Sequence, residues 1–285
     1  MNIVTGFVSR INNRADRDLS KYIAFGMELM SVEIPITVFI ERWIFDQYVS
    51  HKLSVPMQAS GEFLYSAIGG VMDGMQRRYS YVIYGHVRFV FFEKTDLFLW
   101  PYKSMAARFS LNTGNPGKDT LEYMMVQCQK SEWAAISLQL LHHLSVSTAK
   151  EHVWVDFGAF HMFKGKIDVF QIELYKMRNR ANRRILQSGE SPRVQFARCW
   201  DPNHPYVGDI YRDVNWSFAG SVFGGGAAAI QTFALYMREK CFQILREKNT
   251  IMWEINLWLL IYREHPELFA LYPSDHSEIL FLYYV

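Results

Sequence analysis

Cysteine is scarce in this chain: three residues among 285, Cys128, Cys199 and Cys241, lie far apart and form no CxxC pair. That usage suits a reducing compartment and argues against both a disulfide frame and a zinc site. Net charge is nearly absent, +2 from 30 Lys and Arg against 28 Asp and Glu. There is thus no global case for nucleic acid, and any basic surface must be local. No apolar run reaches the ~18 residues that would suggest a membrane span. The longest, Ile255 to Tyr262, is broken by Asn256. An apparent strand opens the chain, with no charged stretch and long apolar segment before it, so a soluble, cytoplasmic protein is expected. Neither GK[ST] nor GxGxxG occurs, which removes the P-loop and Rossmann fingerprints. Repeats, low-complexity tracts and long linkers are missing too, and one domain over residues 1–285 is expected.

What is present is apolar bulk. Half the residues are hydrophobic and 16% aromatic, ample for a sizeable core. Ile3 to Val8 reads as a strand, Ser9 to Ser20 as a polar loop, and Tyr22, Phe25, Leu29 and Met30 recur at helical spacing. Pro35 stops that helix, and Ile36–Ile40 reads as a second strand. Strand, helix and strand within about forty residues form a βαβ unit, which implies a mostly parallel sheet. Residues 42–118 are harder to read. They hold Gly69-Gly70, an aromatic-rich stretch from Val87 to Trp100, and a strong breaker loop from Asn112 to Gly117. Asp119 with Glu122 three residues on predicts a capping box and a helix. A second helical run from Ser131 carries Trp133, Ile136, Leu140 and Leu144 on one face. Lys176, Arg178, Arg180, Arg183 and Arg184 make a basic helical stretch, either a solvated face or a contact for an anionic ligand. Farther on, Ile230, Phe233, Ala234, Met237, Cys241, Ile244 and Leu245 keep a 3.6-residue period and predict a long amphipathic helix.

Four stretches could carry chemistry. In Val153-Trp154-Val155-Asp156-Phe157-Gly158, a buried strand ends on an acid and then turns. Ligands of open α/β sheets sit outside the carboxyl ends of strands, so Asp156 is placed to hold a metal or a ribose hydroxyl. The bland alternative is an aspartate that caps its own turn. The run Phe218 to Gly226 is rich in glycine, which lets either a ligand or a neighbouring backbone come close. Glu254 and Asn256 are the polar residues of the apolar run Met252–Leu260. A carboxylate there needs a partner, because burying it unpaired costs several kcal/mol. It belongs either to a site or to a structural pair near a helix start. Finally, Tyr272-Pro273-Ser274-Asp275-His276 joins an acid and an imidazole, as a ligand pair or as a helix cap with Glu278.

Taken in order, these pieces resemble the HtrL/YibB family of glycosyltransferases. The matching residues are Ile3-Val4-Thr5-Gly6-Phe7, Gln129-Lys130-Ser131, Trp154-Val155-Asp156-Phe157-Gly158, Phe218 to Gly225, Trp253 to Trp258, and Pro266-Glu267-Leu268-Phe269 with Tyr272, Asp275 and His276. The likeness spans nearly the whole chain and is weakest over residues 42–118. It implies an α/β protein: a GT-A-like αβα sandwich with a mostly parallel, Rossmann-like central sheet. Such a protein would move a sugar from a nucleotide-sugar donor, a UDP-sugar by analogy, to a glycan hydroxyl with help from Mn2+ or Mg2+. Thr5, Gly6, Phe7 and Val8 would cradle the base, and Lys130 would reach the diphosphate or sugar. The glycine-rich Phe218–Gly225 segment, with Gly220, Gly224 and Gly225, would line the sugar pocket with Glu254 below it, and Asn256 would join the donor-binding residues. Asp156 and His276 would hold the metal. Glu254 would act as the base, with Asp275 as the next candidate acid. One departure weakens the metal: the fold's common Asp-x-Asp motif has Gly158 in its third place here. A non-catalytic carbohydrate- or nucleotide-binding module on the same fold is the rival reading.

Overall fold

Both faces of the first strand are apolar, and that sets the architecture. In β1 (Asn2–Phe7) the alternating residues Ile3 and Val4 are fully buried in two different cores, so the sheet must be covered on both sides. The computed structural model describes residues 1–9, 18–67, 69, 74–146, 150–275, 277–282 and 284. After β1 come α1 (Leu19–Met30), β2 (Ile36–Ile40), the single turn α2 (Arg42–Ile44), β3 (Ala59–Ser66), β4 (Gln76–Tyr84) and β5 (Val87–Phe91). Then follow α3 (Leu121–His143), β6 (His152–Val155), α4 (Ile167–Ser188), β7 (Val194–Arg198), β8 (Phe218–Gly225), α5 (Ala227–Lys248), α6 (Glu254–Glu264), β9 (Phe269–Pro273) and α7 (Ile279–Leu282).

Among the described residues these strands form one sheet in the order β3-β4-β5-β2-β1-β6-β8-β7-β9. β5, β2, β1 and β6 run parallel, as do β7 and β9, while β4 and β8 run against both of their neighbours. The chain is therefore an α/β sandwich on a mixed, mostly parallel sheet. Buried residues of α3, α5 and α6 fill one side; those of α1, α4 and α7 fill the other. No helix among the described residues is long and apolar enough to cross a membrane.

The expected β1–α1–β2 unit is present with Ile36–Ile40 as its second strand, and the seven periodic residues of α5 are all buried. Two other expectations need correction. The two helical runs before β6 are one helix, α3, of 23 residues. Its cap is Thr120, whose hydroxyl accepts from the Tyr123 backbone N–H at 3.2 Å. Asp119 is engaged elsewhere, accepting from the Asn115 backbone N–H at 3.2 Å and from the Thr113 hydroxyl. The basic stretch lies on α4 and is neither merely solvated nor open to a ligand throughout. Arg180 donates to the backbone carbonyls of Tyr284 (3.0 Å) and Phe281, and Arg184 pairs with buried Glu151.

On the α3 side, aromatic rings run across the strands. Trp133 of α3 stacks on Phe39 (5.6 Å) and Trp154 (5.9 Å), and Phe223 follows at 6.3 Å from Trp154, then Phe196 at 5.9 Å from Phe223. Trp133 also occupies the space a side chain at Gly6 would need, since a Cβ there would lie 2.7 Å from its ring. Ring and glycine are thus one packing unit. Gly6→Ala is expected to destabilise the fold by ~1–3 kcal/mol through overpacking. Combining it with Trp133→Leu should recover part of that loss, a non-additivity that urea denaturation of the two single variants and the double variant would measure.

Candidate functional site

Because β6 is parallel to β1 and β2, the three strands end at the same edge of the sheet. Phe7 and Asp156 leave it together, with the rings of Phe7 and Phe157 5.2 Å apart. β8 enters the sheet from that edge, and the Asp156 backbone N–H bonds the Ser221 carbonyl at 2.9 Å. α6 begins there with Glu254 as its first residue.

Side-chain periodicity brings the charges together. Asp156 lies two residues beyond Trp154 and so shares its face of the strand, while Lys130 lies three before Trp133 and shares its face of the helix. The Trp133–Trp154 stack therefore carries Lys130 to Asp156. The Lys130 Nζ lies 3.0 Å from Asp156 Oδ1, 3.1 Å from Glu254 Oε1 and 3.0 Å from the Gly220 carbonyl oxygen. An ammonium has three protons, and three oxygens surround this one. The Trp154 indole N–H donates to the same Asp156 oxygen at 2.8 Å. A side chain at Gly220 would collide with Glu254 Oε1, so the glycine is what lets the carboxylate reach the lysine.

Exposure separates the two acids. The side chain of Asp156 is 33% exposed, whereas those of Lys130 and Glu254 are 5% and 4% exposed. Burial alone would depress the Lys130 pKa, but Asp156 and Glu254 overcome it and hold the ammonium above its ordinary value. Burial would likewise raise Asp156, and Lys130 with the bonds from Trp154 and Ser221 holds it below its ordinary value. The second oxygen of Glu254, Oε2, is buried and has no hydrogen-bond partner among the described residues.

The remaining expected site residues divide by place. Thr5 and Val8 are buried, while Gly6 and Phe7 keep partial exposure. Phe7 forms an apolar wall with Phe157 and with Tyr22, 5.8 Å away. Asn256 accepts from the Asn215 backbone N–H at 2.9 Å and donates to the carbonyls of Ile210 (2.7 Å) and Asp213 (2.6 Å). Its amide thus fastens the loop before β8 to α6. Gly224 and Gly225 are not brought to this edge. β8 is antiparallel to β6 and pairs them with Val153 and His152, at the opposite end of β6. Their lack of side chains answers close packing: a Cβ at Gly224 would meet the Tyr284 hydroxyl and the His152 carbonyl, and one at Gly225 would meet the Arg193 carbonyl at 2.7 Å. Asp275 is exposed and accepts from the backbone N–H of Ser277 at 2.9 Å and from its hydroxyl. His276 lies outside the described residues.

One acid escaped the sequence reading. Glu41 follows β2 as Asp156 follows β6, is 5% exposed, and accepts from the Ser9 backbone N–H at 2.6 Å. Its signal was the same one: an apolar strand ending on an acid.

Of the two expected metal ligands, Asp156 and His276, Asp156 alone is among the described residues. No group of three His, Cys, Asp or Glu among them is disposed to hold one, and the inner oxygen of Asp156 already faces an ammonium and an indole N–H.

No known family profile matches the chain, and no curated protein matches it. Among solved structures, the apo form of mouse xyloside xylosyltransferase 1 aligns over 95% of this chain and 85% of that one, with 11% identity and a TM-score of 0.38. Function must be argued from the site itself.

Lys130→Met would leave two carboxylates around no cation and is expected to cost about 3–5 kcal/mol, the range for a broken buried pair, read by chemical denaturation. The pH dependence follows from the two shifts. The stability contributed by Asp156 is present above the ordinary value of 3.8 and lost as pH falls through its lower folded value. That of Lys130 is present below 10.5 and lost as pH rises through its higher folded value. Melting temperature should therefore fall on both limbs, and Asp156→Asn should flatten the acid one.

Proposed function

We propose that this chain is a glycosyltransferase that moves a sugar from a nucleotide-sugar donor, a UDP-sugar by the resemblance, to a glycan hydroxyl. The observation that carries the reading is the cluster at the carboxyl edge. It pairs a partly exposed carboxylate, Asp156, across one lysine with a buried one, Glu254, whose Oε2 has no partner among the described residues. Such an edge is where α/β sheets receive ligands.

The roles follow from exposure for Asp156 and from unmet hydrogen bonding for Glu254. Asp156 offers a charged acceptor to a sugar or ribose hydroxyl, and the partly exposed rings of Phe7 and Tyr22, on the α1 side of the same edge, offer an apolar surface to a base. Gly6 and Phe7 keep the exposure to meet that ligand, and Thr5 and Val8 support them from within the core. Glu254 is buried in the unliganded chain; once uncovered by the arriving ligands, its Oε2 takes the acceptor's proton as the acceptor oxygen bonds the anomeric carbon. The bond from that carbon to the diphosphate breaks, and its electron pair leaves with the nucleotide. Lys130 touches neither reactant; it fixes the two carboxylates relative to each other.

Incubation with a panel of nucleotide sugars and glycan acceptors, with nucleotide release measured, tests the reading. Glu254→Gln keeps the shape and removes the base, so turnover should fall by about 10²–10⁴ while donor affinity barely moves. Near-normal turnover in a folded Glu254→Gln protein would remove Glu254 from the reaction. Thermal stabilisation by nucleotide sugar without any turnover would point to a binding module instead.

A further inference from the structure

We infer that Lys130 is the resident cation of this site and stands where a divalent ion would otherwise sit. The inference concerns the same edge as the proposed reaction, but its metal test does not depend on sugar chemistry.

Three oxygens converge on one buried point: a carboxylate oxygen of Asp156, a carboxylate oxygen of Glu254 and the carbonyl of Gly220. That is the ligand set of a hard cation, two charged oxygens and one backbone carbonyl. The distances do not suit such an ion. They are 3.0, 3.1 and 3.0 Å, the lengths of N–H···O bonds, whereas Mg2+ needs about 2.0–2.1 Å and Ca2+ about 2.3–2.6 Å. The cage is built to the size of an ammonium. It is also built around a fixed charge, because Lys130 arrives on a helix held by the Trp133–Trp154 stack and cannot diffuse away.

Two consequences follow. A divalent ion approaching Asp156 from solvent meets a carboxylate whose inner oxygen is already neutralised, with a like charge behind it. And the lysine, with three oxygens around its three protons, has no proton left for a phosphate, so its action on any ligand is through the position of the two carboxylates. Lys130 is a positioning residue.

The test titrates Mn2+ alone against the wild type and Lys130→Met, by calorimetry and by melting temperature. The wild type should take up no ion at Asp156 and gain no stability. Lys130→Met, with the oxygens left and the ammonium gone, should bind Mn2+ and recover part of its lost stability. Should Lys130→Met fail to fold alone, rescue of its folding by added Mn2+ is the readout. The charge-balanced variant Lys130→Met with Glu254→Gln should fold better than Lys130→Met without metal and respond less to it. Uptake of Mn2+ by the wild type that disappears in Asp156→Asn would overturn the inference. So would a Lys130→Met protein that neither binds the ion nor is rescued by it. A nucleoside diphosphate, UDP, added with EDTA or with Mn2+ separates the two proposals. Binding to the wild type that is equal in both supports the resident cation, and binding that needs Mn2+ overturns it. No binding in either overturns the nucleotide-sugar reading and leaves the metal titration to decide the lysine.

Discussion

One ammonium ties this fold together at the carboxyl edge of its parallel strands. Lys130 joins α3 to the end of β6, to the entry of β8 and to the first turn of α6, across sequence separations of 90 and 124 residues for the last two. A lysine taken from water is unfavourable by several kcal/mol unless its partners are well placed. Here three oxygens lie within 3.1 Å of it, so the four segments can only be assembled in one relation to each other. The same dependence makes Gly220 obligatory, since any side chain there would displace Glu254. A buried ion pair is weak evidence of net stability, because an apolar replacement often does as well. What this one provides is position: two carboxylates held at fixed places on an edge where loops would otherwise set them.

That position is inherited from packing. Trp133 lies over the sheet because Gly6 leaves room for its ring, and it stacks on Trp154 within a row of aromatics crossing four strands. Rings of this size carry much of a core's burial and have few rotamers, so the helix above them has little freedom to slide. The opposite face is fixed in the same way. A side chain at Gly26 of α1 would collide with the Phe157 ring, and the residue after Asp156 is thereby locked under α1. The site sits between two close helix–sheet contacts, one on each side of the strand that bears its aspartate.

How much of this could be read in the sequence follows from where polarity lies. The first βαβ unit and α5 were legible because their apolar residues keep one period and their ends carry Pro35 and Gly226. Residues 42–118 were not. β3 and β4 lie toward one side of the sheet and mix exposed with buried positions, so neither a continuous apolar run nor a clean alternation marks them. The single helix α3 looked like two because Gln129-Lys130-Ser131-Glu132 reads as a polar interruption. All four are buried, and three of them bind across the fold: Gln129 accepts from the Phe98 backbone N–H at 2.9 Å, Lys130 makes the ionic cluster, and Glu132 pairs with Arg238 at 2.7 Å while accepting from the Tyr65 hydroxyl. A stretch polar enough to suggest a loop is buried and bonded across the fold. The glycines of β8 misled for a different reason. Glycine signals close approach without saying of what, and the direction of a strand is not written in its composition. Run antiparallel, β8 puts Gly220 at the ionic cluster and takes Gly224 and Gly225 to the far edge.

Two carboxylates that share one cation need not behave alike, and here solvent decides between them. Asp156 is one-third exposed and already bonded by Lys130, Trp154 and Ser221, so its charge is held down from several sides at once. That suits a group that must stay ionised and accept hydrogen bonds from a ligand arriving from water. Glu254 meets the same lysine with one oxygen and leaves the other buried without a partner among the described residues. An unsatisfied buried acceptor is destabilising unless something completes it, and the helix N-terminus beneath it offers only partial compensation. A hydroxyl brought to that oxygen would supply the missing hydrogen bond on binding, and the same contact is the one through which a proton could leave. The arrangement that makes Glu254 costly in the unliganded fold is what would give it a reason to meet an acceptor.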